Sequence, residues 1–194
     1  RHTARQAIVA VERCRHAGFR NLSSDLIYGL PGETDEHWQH DLETALRLHP
    51  EHLSAYHLTY EEGTPLHRLR QTHRVHEVDE DLSLRFFTRL VHTLRQAGYL
   101  HYEISNFCLP GHYARHNTSY WQGIPYLGCG PSAHSFDTHS REWNVASLEA
   151  YIAGMENGRR PYEKEILSPD TRYNEYGMTG LRTRWGISTD RVLP

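Results

Sequence analysis

The chain has 194 residues, more than one average domain and fewer than a complete barrel enzyme requires. Its 21 basic and 24 acidic residues leave a formal charge of -3. The basic ones are scattered rather than striped, which excludes the electrostatic footprint of a nucleic-acid partner. No apolar run approaches the roughly 20 residues of a membrane span, and no signal-peptide pattern opens the chain. Three widely spaced cysteines, Cys14, Cys108 and Cys129, exclude a disulfide framework and a self-contained zinc site. A soluble cytoplasmic protein with reduced thiols is expected. The 16 histidines sit largely beside charged residues, as in 70–80, where solvent exposure is the expected fate.

In chain order, Ala7, Ala10, Val11 and Cys14 share a helical face, Gly18 follows as a C-cap, and the mostly apolar run 22–30 suits a buried strand. After a turn at Pro31-Gly32, Thr34 offers an N-cap, Asp35 and Glu36 fill a first turn, and Trp38, Leu42, Ala45 and Leu46 line one face of a helix reaching about His49. Residues 53–60 read as the next strand. Leu82, Phe86, Phe87, Leu90 and Leu94 mark a third helix ending at Gly98, followed by a strand at about 102–106. Ala17-Gly18-Phe19 and Ala97-Gly98-Tyr99 repeat one helix-to-strand punctuation. This alternation predicts a parallel sheet, with chemistry beyond its carboxyl strand ends at 28–32, 59–64 and 105–111. Past Trp143, a short helix is expected at 148–155, a linker at 158–170 and a last helical segment at 173–184. The expected organisation is one α/β domain over 1–157, then a linker and the beginning of a small helical domain over 158–194.

Residues 99–135 concentrate polar, aromatic and glycine positions beyond what a core requires. Within them His116, Asn117, Tyr120 and Trp121 belong to the hexapeptide HNTSYW, an imidazole, a carboxamide and two flat rings suited to a planar, partly charged ligand. The plain alternative is a loop whose aromatics anchor it to the core. Glu61, Glu62 and Glu103 offer carboxylates for a hydrolase, but their spacing is unspecific.

Asp25-Leu26-Ile27-Tyr28-Gly29-Leu30-Pro31-Gly32, Trp38 with Asp41-Leu42, Leu53-Ser54-Ala55-Tyr56, Gly63-Thr64-Pro65-Leu66 and Tyr102-Glu103-Ile104-Ser105-Asn106-Phe107 with Pro110-Gly111 resemble the later part of the oxygen-independent coproporphyrinogen III oxidase-like radical S-adenosylmethionine proteins. The hexapeptide matches the HNxxYW pattern of the HemW-type heme chaperone branch. Gly180-Leu181-Arg182-Thr183 with Gly186-Ile187 resembles the start of that family's C-terminal domain.

The resemblance implies the C-terminal part of a partial parallel (β/α) radical SAM barrel. It implies a protein that carries heme to an unidentified acceptor rather than a coproporphyrinogen dehydrogenase. The alternative is the radical enzyme itself, which decarboxylates two propionates to form protoporphyrinogen IX. The family's [4Fe-4S] cluster is bound by a CxxxCxxC motif absent from this chain, and the three cysteines do not replace it. The opening at Arg1 and the ending at Val192, Leu193 and Pro194 lead to the expectation of a fragment lacking that half. By carry-over, Asp25, Ile27 and Thr59 match positions near S-adenosylmethionine, with His134 in the LGxGPSAHS-like segment beside them. Cys129, at the variable place of that segment, is expected to be a small buried filler. His116, Asn117, Tyr120 and Trp121 are expected at heme, with His116 preferred as iron ligand over His112, His134 or Cys108, and Arg115 available to a propionate.

Overall fold

A computed structural model describes residues 3–191, so the readings of Arg1 and of Val192, Leu193 and Pro194 lie outside the described residues. Two compact units are present, Arg1–Tyr113 and Ala114–Pro194.

In the first unit, helix α1 (Ala4–His16) opens with a capping box between Thr3 and Gln6. It stops at Gly18, whose φ of 92° suits glycine, and the Phe19 amide returns to the Cys14 carbonyl at 3.1 Å. The same device ends the third long helix at Gly98, where the Tyr99 amide reaches the Leu94 carbonyl at 3.0 Å. Strand β1 (Ser23–Tyr28) leads into α2 (Asp35–Arg47), capped by Thr34 as its sequence predicts. Strand β2 (His52–His57) lies parallel to β1, pairing Asp25 with Ser54 and Ile27 with Tyr56.

Next come the short α3 (Pro65–Gln71), opened by a Thr64 cap and proline in its first turn, and the long α4 (Glu80–Gln96). Trp38, Leu42 and Ala45 of α2 meet Phe86, Leu90 and Leu94 of α4 over Tyr28, Leu53, Ala55 and Phe107 of the sheet. Each such buried side chain contributes on the order of 1.5–3 kcal/mol. Even period in the strands therefore sends one set of residues into this core and leaves the alternate set, Asp25 and Ile27 among them, on the opposite face.

The expected single strand at 102–106 is instead a tight hairpin of β3 (Leu100–Glu103) and β4 (Asn106–Cys108). The Glu103 carboxylate holds the turn by accepting from the Ser105 amide at 3.0 Å and from the Asn106 side chain. The sheet order is β1-β2-β4-β3, and only β1 and β2 run parallel. The expectation of an all-parallel sheet is corrected at this point, because the hairpin reverses the chain with two residues where a parallel neighbour needs a crossover.

The second unit contains α5 (Arg115–Trp121), β5 (His134–Phe136), β6 (Ser140–Asn144), α6 (Leu148–Glu156), β7 (Tyr162–Ile166) and α7 (Pro169–Leu181). The strands form an antiparallel sheet in the order β5-β6-β7. Asp137 fixes the β5–β6 turn, accepting from the His139 amide at 2.9 Å and the Ser140 hydroxyl at 2.8 Å, and these donors hold its carboxyl down at about 2. The segment 158–170 is thus not a linker, for β7 pairs with β6 from Asn144 beside Tyr162 to Ser140 beside Ile166. All five β7 residues are exposed, so no alternation of polar and apolar residues announces the strand. The helical segment expected at 173–184 overlaps α7, Pro169–Leu181.

Candidate functional site

On the sheet face of the first unit turned away from the helices, β1 presents Asp25 and Ile27, and Tyr56 of β2 stands beside Ile27. Asp25 is exposed, and among the described residues it neither caps a turn nor pairs with an arginine. Ile27 is 52% exposed and Tyr56 43% exposed, so an unpaired carboxylate and two apolar side chains share an open strip. Thr59 is exposed two residues past the end of β2.

On the same face, at the start of the two strands, is a polar chain buried at His52 and Tyr102. The Ser23 hydroxyl meets His52 Nδ1 at 2.7 Å, and His52 Nε2 meets the Tyr102 hydroxyl at 2.7 Å. Burial lowers the His52 pKa, against which the nearby charges of Asp25 and Glu103 work. Sequence reasoning missed His52, because a histidine in a strand carries no signal beyond its even register with Ser54 and Tyr56. Glu103 is committed to its hairpin turn, while Glu61 and Glu62 are exposed, so no converging acid-base set forms from these three.

In the second unit, HNTSYW folds into α5 rather than a loop. Helical spacing sets His116 against Tyr120, with Nε2 and the phenol oxygen 2.9 Å apart and the rings edge to face at 5.0 Å. Asn117 and Trp121 fall on the adjacent face. Tyr120 and Trp121 line a cavity of about 630 Å³ together with Tyr126, Phe136, Tyr176 and Trp185. His116 and Asn117 do not line it.

At the same cavity Arg141 is gripped by Glu175 through two bonds of 2.9 and 3.0 Å, which raise the Arg141 pKa. Arg172 and Arg191 complete its charged lining. Arg182 lies 5.0 Å over the Trp121 ring. None of these arginines stands out in the sequence, since they come from β6, α7 and the segment after α7 and meet only in the fold.

The other expected residues are dispersed. His134 of β5 stacks on Trp143 at 5.9 Å and lies outside the cavity. Gly128 is required by the fold itself, since a Cβ there would come within 2.1 Å of the His134 carbonyl oxygen. Cys129 is exposed, not the buried filler expected of it. Cys108 is fully buried in β4, His112 sits 3.4 Å from the Asn21 side chain, and Arg115 is exposed. Among the described residues no three His, Cys, Asp or Glu side chains group as a metal site. No described helix is long and apolar enough to cross a membrane.

No family model matches the sequence. The protein named heme chaperone HemW from Bacillus subtilis (strain 168) is 33% identical over 191 residues, 98% of this chain and 50% of that protein. Its namesake from Synechocystis sp. is 34% identical over 94% of this chain and 44% of its own length. A mitochondrial radical S-adenosyl methionine domain-containing protein 1 from Bos taurus is 34% identical over 96% of this chain and 44% of its own length. The chain thus spans about half the length of the curated relatives it matches. The structure of coproporphyrinogen III oxidase (HemN) from Escherichia coli, described as a radical SAM enzyme, superposes with a TM-score of 0.74 over 94% of this chain and 45% of that one at 18% identity. The chain therefore has the mixed α/β fold of the corresponding part of that enzyme.

Proposed function

Because the chain belongs, over the half of their length that it spans, to the family of the proteins named heme chaperone HemW, we propose that the whole protein binds heme and transfers it to an acceptor protein. The observation that supports this reading most directly is the placement of Tyr120 and Trp121, from the HNTSYW segment, on an aromatic cavity within the size range that encloses a flat organic ligand. Cytoplasmic residence agrees with three cysteines that form no disulfide.

His116 remains the preferred iron ligand in this reading. Its Nε2 faces the Tyr120 hydroxyl, so ligation through that atom exchanges a hydrogen bond for a bond to iron. The test is a hemin titration of the complete protein followed in the Soret region. His116→Ala is expected to weaken binding about tenfold or more and to move the band, as loss of an axial ligand does. Tyr120→Phe, which leaves the ligand and removes its competitor, is expected to bind at least as tightly. Unchanged affinity and spectrum in His116→Ala would end the ligand role.

The family's [4Fe-4S] cluster and S-adenosylmethionine belong to the whole protein in this proposal. S-adenosylmethionine would bring ribose hydroxyls and a flat adenine. Asp25 is chemically suited to accept from the hydroxyls, Ile27 to pack against the adenine, and Thr59 to border the nucleoside. The likeness to coproporphyrinogen III oxidase keeps radical decarboxylation as the second reading.

A further inference from the structure

The charged lining of the cavity in the second unit carries more information than its aromatic walls. Three guanidinium groups, Arg141, Arg172 and Arg191, face one carboxylate, Glu175, which leaves two positive charges in excess. Arg141 and Glu175 neutralise each other through their paired bonds. Among the described residues the Arg172 guanidinium forms no ion pair or hydrogen bond, and Arg191 lies over the Tyr176 ring at 5.7 Å with no carboxylate paired to it. The surplus therefore resides on two separate side chains rather than on the neutralised pair. An apolar cavity with two unneutralised guanidinium groups on its lining is complementary to a flat apolar body bearing two carboxylates.

We propose that Arg172 and Arg191 select the number of carboxylates on the tetrapyrrole, each pairing with one propionate, so that the cavity takes a dicarboxylate macrocycle such as heme in preference to a tetracarboxylate one. Glu175 enforces the choice. It withholds Arg141 from the ligand, so a third and fourth carboxylate meet no free donor. This inference rests on the heme reading above and deepens it, because carboxylate number is what separates heme from coproporphyrin. It also assigns a role to four residues outside the HNTSYW segment.

The experiment titrates the complete protein with hemin, with hemin dimethyl ester and with ferric coproporphyrin in one detergent-containing buffer, for wild type and for Arg172→Gln, Arg191→Gln and Glu175→Gln. Wild type is expected to bind hemin about tenfold or more tighter than either other probe, in line with the loss of charge-assisted bonds. Each arginine variant should lose about tenfold for hemin and little for the ester. Glu175→Gln, which frees Arg141, should narrow the gap between ferric coproporphyrin and hemin several-fold. Thermal melts show whether each variant is folded, and the comparison of probes on wild type needs no variant at all. If wild type binds hemin yet treats all three probes alike, or if both arginine variants keep full preference for hemin over its ester, the assignment is overturned while the heme reading stands. If wild type binds no hemin, the heme reading itself has failed.

Discussion

His52 shows how much a single residue of the first unit is asked to do. Both its ring nitrogens are engaged, by the Ser23 hydroxyl and the Tyr102 hydroxyl, and burial lowers its pKa. His101, stacked on Phe107 at 4.3 Å, is lowered for the same reason, desolvation. A histidine whose folded pKa lies below its unfolded value of roughly 6.5 binds protons more readily when the chain is unfolded. The stability it contributes is complete above that pH and is lost as pH falls. Thermal melting of the protein should therefore drop between about pH 7.5 and about pH 5.5, and His52→Asn should lower stability at neutral pH by roughly 1–3 kcal/mol while flattening the pH slope. A wild-type melting temperature equal at both pH values would show that His52 is not held neutral by the fold. The Asp25 side chain, exposed on the same sheet face with no hydrogen bond or ion pair among the described residues, is available to a ligand, while its backbone pairs with Ser54 in the ladder.

At the scale of elements, α2 and α4 make the core on which the strip of Asp25 and Ile27 depends. Trp38 joins them, fully buried, stacked on Tyr28 at 5.1 Å and donating its indole N–H to the Phe86 carbonyl at 3.0 Å. Trp38→Ala should cost about 3–5 kcal/mol, through the cavity left and the loss of the indole hydrogen bond. Denaturant unfolding measures this, and a loss below about 1 kcal/mol would mean that α2 is not anchored there.

These helices are legible in the sequence because Trp38, Leu42 and Ala45, and Phe86, Leu90 and Leu94, recur at helical period between a capping Thr34 and a terminating Gly98. Strand direction is not legible in the same way. The run 102–106 alternates Tyr102 and Ile104 with polar residues as a half-buried strand can, and the Ser105 amide donating to the Glu103 carboxylate shows that a turn divides it. Strand β7 is invisible for a different reason, since an exposed edge strand has no buried face to impose alternation. In the second unit, Tyr120 and Trp121 are readable from the density of aromatics. The arginines are not, because their significance depends on β6 and α7 coming to the same cavity, which no local pattern encodes.

At the scale of the whole molecule, the two compact units each carry one candidate surface. The first has an exposed carboxylate and apolar neighbours on a helix-backed sheet. The second has an aromatic cavity with an excess of two positive charges. A tetrapyrrole at the second surface, carried rather than transformed, is the reading we propose, and likeness to proteins named heme chaperone HemW supports it. The most direct measurement combines an anaerobic assay of the complete protein, supplied with coproporphyrinogen, S-adenosylmethionine and reductant, with a hemin titration of the same preparation. The account predicts saturable one-to-one hemin binding with no protoporphyrinogen formed. Protoporphyrinogen formation without hemin binding would contradict it.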